Sequence, residues 1–130
     1  MSIALPEFTL NNEKMYPAMD VYRDGKSCAI KIMSDEGPFM TLSVALEKPA
    51  GEWKFWAKTW SENQPYIQPI LDQCKWFKAV ENNELNADWG VTATMMQIDP
   101  KVLSKEMATE ISKLMRWKDP AAKAQSTPSM

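Results

Sequence analysis

Ser27-Cys28-Ala29-Ile30-Lys31-Ile32-Met33, Ser34-Asp35-Glu36-Gly37-Pro38 and Phe39-Met40-Thr41-Leu42-Ser43-Val44-Ala45-Leu46 follow one another without a break, and their reading decides the fold class. The first and third runs alternate with a period of two. Cys28, Ile30 and Ile32 share one face. Met40, Leu42, Val44 and Leu46 share another, with Thr41, Ser43 and Ala45 opposite. Such alternation belongs to strands buried on one side, and small or polar residues on the other side mark a half-exposed face. The middle run carries Gly and Pro, which punctuate a chain at turns. Just upstream, Asp24-Gly25 after Val21-Tyr22-Arg23 is a tight-turn signal. Downstream, Glu47-Lys48-Pro49-Ala50-Gly51 turns the chain into Trp53-Lys54-Phe55-Trp56-Ala57-Lys58-Thr59-Trp60, whose aromatic content favours a strand. Short connections make sequential strands neighbours, so an antiparallel meander over residues 20–60 is expected.

The pattern changes after Trp60. Ser61-x-x-Gln64 matches the capping box, and Ile67, Ile70, Leu71 and Cys74 keep helical spacing, which predicts a helix centred on 67–75. Pro65 suits a first turn, whereas an interior Pro69 costs roughly 3 kcal/mol, so the helix either begins near Pro69 or breaks there. Glu81 to Asn86 reads as a polar loop and Trp89 to Ile98 as a further strand. Asp99 as N-cap, Pro100 at the first helical position and the stripe of Val102, Leu103, Met107, Ile111 and Leu114 predict a helix over 101–116. Residues 1–18 read as an N-terminal arm with a short strand at Phe8 to Leu10, and residues 119–130 as a disordered tail. The expected fold is α+β. A single small domain over 19–118 holds an antiparallel sheet of three or more strands. Two helices pack on the face formed by Ile30, Ile32, Leu42, Val44, Trp53 and Phe55.

Composition excludes several classes. A chain of 130 residues suits one domain that buries roughly two-thirds of its unfolded surface. A 45% hydrophobic and 25% charged composition is that of a globular protein. A net charge of −2 points neither to a strongly basic nucleic-acid binder nor to a DNA mimic. The absence of His removes His-based triads, His metal ligands and His pH switches. Apolar runs fall far short of a bilayer span, so no membrane is expected as a partner. Met1 to Glu7 has neither a basic region nor an apolar core, so no signal peptide is expected. Cys28 and Cys74 stand alone and read as buried free thiols of a reducing cytoplasm, with a disulfide between them as the alternative. No P-loop, GxGxxG, CxxC, GxSxG or HExxH motif occurs. Asp35-Glu36 reads as a solvated turn, and Cys74 has no visible base. The expectation is therefore no catalytic residue, no metal, no cofactor and no enzyme.

Two counts stand out, six Trp and ten Met. In the Trp-rich strand, Trp53, Phe55, Ala57 and Thr59 share one face, and Lys54, Trp56, Lys58 and Trp60 share the other. The second face alternates cation and indole. Aromatic anchors ringed by Lys suit a protein interface, with Trp56 and Trp60 as anchors and Lys54 and Lys58 as rim. The same alternation suits stacking of unpaired bases beside phosphates. The structural alternative is a second layer that covers the indoles while the Lys stems reach water. In that case the site is to be sought on the Met95-Met96 strand or the exposed side of the last helix.

Gly37-Pro38-Phe39, Thr41-Leu42-Ser43-Val44 and Lys58-Thr59-Trp60-Ser61-Glu62-Asn63 before a short helix give the stretch from Ala29 through Phe77 a family likeness. It resembles a family of small uncharacterised proteins of bacteria, phages and conjugative elements. The resemblance implies a compact α+β domain and a mobile-element or bacterial cytoplasmic setting, the host cytoplasm if the chain is phage-encoded. It carries over no functional residue. In that setting the expected function is that of a small non-enzymatic interaction protein. Its concrete form is a phage or mobile-element inhibitor of a host defence complex, of anti-CRISPR or anti-restriction type, which binds a larger host protein or complex. The alternative is a single-stranded nucleic-acid-binding protein of replication or recombination. A homo-oligomer is a third reading.

Overall fold

Two tight hairpins start the first sheet. Strand β2 (Phe8–Leu10) returns as β3 (Glu13–Val21) with Leu10 paired to Glu13. The two linking residues, Asn11 and Asn12, have φ of 53° and 63°. A two-residue mirror-image turn requires positive φ at both positions, and Asn tolerates it better than most residues. β3 then turns into β4 (Cys28–Ser34). There the Asp24 carboxylate accepts the N–H groups of Lys26 and Ser27 and the Ser27 hydroxyl, while Gly25 takes φ 71°. β5 (Gly37–Thr41) follows after Asp35-Glu36. The sheet runs β1 (Ile3–Ala4), β3, β4, β5, all antiparallel, with β2 pairing the other end of β3.

The expected arm is therefore part of the sheet. Leu5, Phe8, Leu10 and Met15 are buried in the main core. Pro17 sits inside β3 without harm because its backbone faces β1: its carbonyl accepts the Leu5 N–H at 2.8 Å. Its missing donor falls where the outer neighbour breaks between β1 and β2.

The computed structural model describes residues 2–46, 48–86 and 92–118, with backbone alone over 81–86. A second antiparallel sheet has the order β6 (Lys54–Ala57), β8 (Thr92–Ile98), β7 (Phe77–Asn86). β7 includes the residues expected to form a polar loop. It is an edge strand, half of whose backbone needs no ladder partner, so a polar sequence is tolerated there. Its register slips between Ala79 and Glu84. Trp89, Gly90, Val91 and the expected tail after Lys118 lie outside the described residues.

The two sheets meet at residues 41–44. Leu42 donates its N–H to the Ile30 carbonyl at 2.9 Å, and its own carbonyl accepts from Lys58 at 2.7 Å. It thus has one backbone group in each sheet. The Leu42 carbonyl is lost to β4, and the Ser43 hydroxyl replaces it, accepting the buried Ile30 N–H at 2.8 Å. The Tyr22 hydroxyl meets the same oxygen at 2.9 Å. Val44 donates to Trp56 at 2.9 Å, and Ser43 bridges to Ala57. Where the strands separate, Asn63 Nδ2 donates to the Thr41 carbonyl at 2.7 Å and the Lys58 carbonyl at 2.9 Å. Asn63 is 1% exposed.

Both helices lie over one apolar side of this assembly. α1 (Gln64–Gln73) runs through Pro69 and forgoes only the bond that a donor there would make to the Pro65 carbonyl in the first turn. At its end Gln73 accepts the Thr9 N–H at 3.0 Å and donates to the Thr9 carbonyl. α2 (Lys105–Met115) starts later than expected. Ser104 is the cap, accepting the Met107 N–H at 3.1 Å. Asp99 instead forms a turn, accepting from Lys101 at 2.9 Å. The same residue types serve Asx turns and N-caps, and the local pattern does not separate them. Ile30, Ile32, Leu42, Trp53, Phe55, Ile70, Met96, Ile98 and Ile111 share the main core. Val44 does not. Beyond the crossover it joins a separate cluster around Trp56.

Ser43→Ala leaves the Ile30 N–H buried without its acceptor. We expect a loss of about 1–3 kcal/mol in urea unfolding with an unchanged m-value. Asn63→Leu, which strands two carbonyls, should cost at least as much.

Candidate protein-binding face

Strand alternation splits β6 between two surfaces. Phe55 and Ala57 enter the main core, and Trp56 faces the other way. Register then sets cross-strand neighbours: Trp56 lies opposite Met95, and Gln97 lies opposite both Lys54 and Lys78. Trp56, Ala93 and Met95 form a small buried cluster, with Val44, Leu46, Ala50, Trp60 and Val80 half-buried around it. No residue of either helix belongs to this cluster. Among the described residues, the outer face of the second sheet is thus an apolar patch closed by the chain around Val44, Leu46 and Ala50. Trp56 Nε1 donates to the Lys48 carbonyl at 2.7 Å and ties that segment to the edge of its ring.

The sequence placed Lys54, Trp56, Lys58 and Trp60 on one outward face. The structure keeps Trp56 on that side but not in water, since it is 5% exposed. The physical reason is the crossover: after switching sheets at Ser43, the chain folds back across the indole. Trp60 packs at the edge of the same cluster and stays half-buried. Lys54 and Lys58 are also half-buried. Lys58 Nζ contacts Glu62 Oε1 at 2.6 Å. Hydrogen bonds from Lys58 and then Ser61 pull the Glu62 carboxyl down to about 2. Met95, Val80, Gln97 and Lys78 complete the face. Their place depends on cross-strand register, which no single run of sequence discloses.

The other described tryptophans are core. Trp53, Trp76 and Trp117 are buried, with Trp53 and Trp117 ring centroids 5.3 Å apart. Trp53 Nε1 donates to the Lys118 carbonyl at 3.0 Å. Cys28 and Cys74 are free and buried. Burial pushes both thiols up, Cys74 to about 12, which opposes nucleophilic use. Among the described residues no three His, Cys, Asp or Glu side chains gather as a metal site. A cleft of about 610 Å³ between β1 and α2 is lined by Ser2, Ile3, Ala4, Glu110, Lys113 and Leu114. Glu110 is the single carboxylate among its described lining residues. Among the described residues no helix is long and apolar enough to cross a membrane.

No protein-family model matches the chain, and neither curated proteins nor solved structures yield a match.

Trp56→Ala should cost about 3–5 kcal/mol in urea unfolding, because it empties the centre of the outer cluster. Trp60→Ala should cost about 1 kcal/mol or less. In the folded protein at about pH 8 both thiols should resist a thiol reagent and react once the chain is unfolded in guanidinium. The folded thiol pKa values lie above the unfolded ones. Their contribution to stability is therefore complete below about pH 8.5 and declines as pH rises toward the folded values.

Proposed function

We propose that this chain is a small non-enzymatic interaction protein that binds another protein through the outer face of its second sheet. The observation that carries the reading is the apolar cluster of Trp56, Met95, Trp60, Val80, Val44 and Leu46, which sits outside the main core and to which neither described helix contributes a residue. Exposed apolar patches rimmed by polar residues mark contact surfaces. Trp60 is the anchor that a partner would finish burying. Trp56 is the floor beneath it, and Lys54 and Lys58 form the rim. The finer reading follows the family resemblance: an inhibitor of a host defence complex, of anti-CRISPR or anti-restriction type, acting in the host cytoplasm by occupying a site on a larger protein. Burial of Trp56 works against the single-strand nucleic-acid reading, because an indole only 5% exposed has no free face for a base.

The test is affinity capture from host lysate with wild type and Trp60→Ala, each checked by thermal melting. The expected result is loss of the captured protein at an almost unchanged Tm. Truncation of an anchor Trp commonly costs about 2 kcal/mol or more of binding. Equal capture by both forms would remove this face as the site.

A further inference from the structure

Strand β1 borders β3 on one side and has a free edge on the other. The Leu5 N–H bonds the Pro17 carbonyl at 2.8 Å, and the next residue back, Ala4, lies opposite Ala18. Bonded and non-bonded pairs alternate in an antiparallel ladder, so Leu5 and Ile3 turn their backbone groups toward β3. Ala4 turns its N–H and carbonyl away. The peptide bonds are trans, which sends the Ser2 carbonyl opposite to the Ile3 N–H and to the same outer side. Two other edges of this sheet are guarded. Gln73 occupies the outer side of Thr9 on β2, and β5 carries Pro38. Ser2 to Leu5 contains neither Pro nor charge. This edge opens on the 610 Å³ cleft whose far wall is α2, with Glu110, Lys113 and Leu114 on one helix face. Glu110 and Lys113 are exposed, and among the described residues neither has an ion-pair partner.

From this juxtaposition we propose that two copies of this chain pair through β1, antiparallel about a two-fold axis that passes beside Ile3. Outward N–H and carbonyl groups on an edge call for an extended backbone as their complement. The charges on α2 say whose backbone it is. An acid and a base three residues apart on one helix face are their own complement under a two-fold axis, because each contact is made twice with the roles exchanged. In the pair, the Ala4 N–H donates to the Ser2 carbonyl of the second copy, and the Ala4 carbonyl accepts that copy's Ser2 N–H. The axis repeats both bonds. Ile3 meets its own counterpart on the side of the sheet that faces α2. Ser2 and Ala4 carry small side chains on the other side and obstruct nothing. The two β3 strands then lie three strand spacings apart, about 14 Å. α2 packs against β3. Two helices of about 10–12 Å diameter therefore fit side by side, antiparallel, with Glu110 of each beside Lys113 of the other. Each cleft is filled by the facing helix, with Leu114 in the contact. A foreign strand would satisfy the backbone groups alone, whereas a second copy supplies the strand and the matching charges together. This surface lies on the first sheet and leaves the outer face of the second sheet open.

The test is sedimentation velocity of the full chain from micromolar to millimolar concentration, with a thermal melt of each variant. The expected result is a concentration-dependent passage from the mass of one chain to that of two. Glu110→Lys and Lys113→Glu each oppose like charges on both sides of the axis, and each should weaken the dimer about tenfold or more. Mixed in equal amounts, these two variants should form a heterodimer, because each copy then carries the charge the other needs. Ala4→Pro removes an outward N–H and no bond to β3, so it should abolish the dimer at an almost unchanged Tm. Hydrogen exchange at the wild-type Ala4 amide should slow as concentration rises. A chain that stays monomeric at millimolar concentration overturns the proposal. If its Ala4 amide is protected at every concentration, the edge is covered from within the same chain. A dimer that ignores Ala4→Pro and both charge reversals overturns it as well and puts the contact on another surface. Failure of the two charge variants to pair with each other overturns the α2 contact and with it the assignment of a second copy to this edge.

Discussion

Leu42 can serve two sheets only because Ser43 carries a hydroxyl. A strand that leaves one ladder for another strands the backbone groups it abandons, and a buried N–H without an acceptor is costly. Here the Ile30 N–H finds Ser43 Oγ, and the Thr41 and Lys58 carbonyls find the amide of Asn63. These few polar contacts let a continuous run of chain change sheets inside the protein. Tyr22 closes the arrangement from the edge. Burial raises its phenol above the ordinary value, with the Ser43 hydrogen bond acting in the opposite sense. Polar side chains that replace lost ladder bonds are more demanding of geometry than apolar ones, so this seam also fixes the relative placement of the strands.

The outer apolar cluster is a consequence of the same crossover. Val44 and Leu46 keep the alternation of Leu42, but past Ser43 the chain belongs to a different surface, and both pack on Trp56 and not on the main core. The protein therefore has two apolar assemblies of unequal depth. The larger is roofed by helices. Among the described residues the smaller has a short segment of chain above it, tied by an indole hydrogen bond, and its periphery remains partly wet.

Much of the first sheet was legible from local chemistry. Asp24-Gly25 and the run Ser34 to Pro38 flagged real turns, the second at Asp35-Glu36, and the alternation of Cys28, Ile30 and Ile32 gave the correct inner face. The α+β class and the existence of both helices followed from periodicity. Other features were hidden for identifiable reasons. The first hairpin turns on the tolerance of Asn11-Asn12 for positive φ, a signal that the reading of residues 1–18 as an arm left unused. The strand through Pro17 was absent from the expected arm, because the harmlessness of a Pro inside a strand depends on which neighbour it faces. The polar run of β7 hid it, because an edge strand carries polar and charged residues that otherwise read as a loop. Trp56 was correctly sided and wrongly exposed, since burial there depends on a segment that returns from another sheet. Lys78 and Gln97 became part of the site only through register, a long-range property.

The contact between Gln73 and Thr9 has a bearing on how the chain survives its own synthesis. Thr9 presents its N–H and carbonyl from the outer side of β2, and the Gln73 amide satisfies both at once, as a strand would. An edge occupied in this way offers no template to a neighbouring molecule. The two residues are 64 positions apart, so the protection does not exist until α1 has been made. During translation the N-terminal hairpin is thus an open edge that waits for a single side chain. Until Gln73 leaves the ribosome, the Thr9 groups of this edge are open to pairing with another copy of the chain.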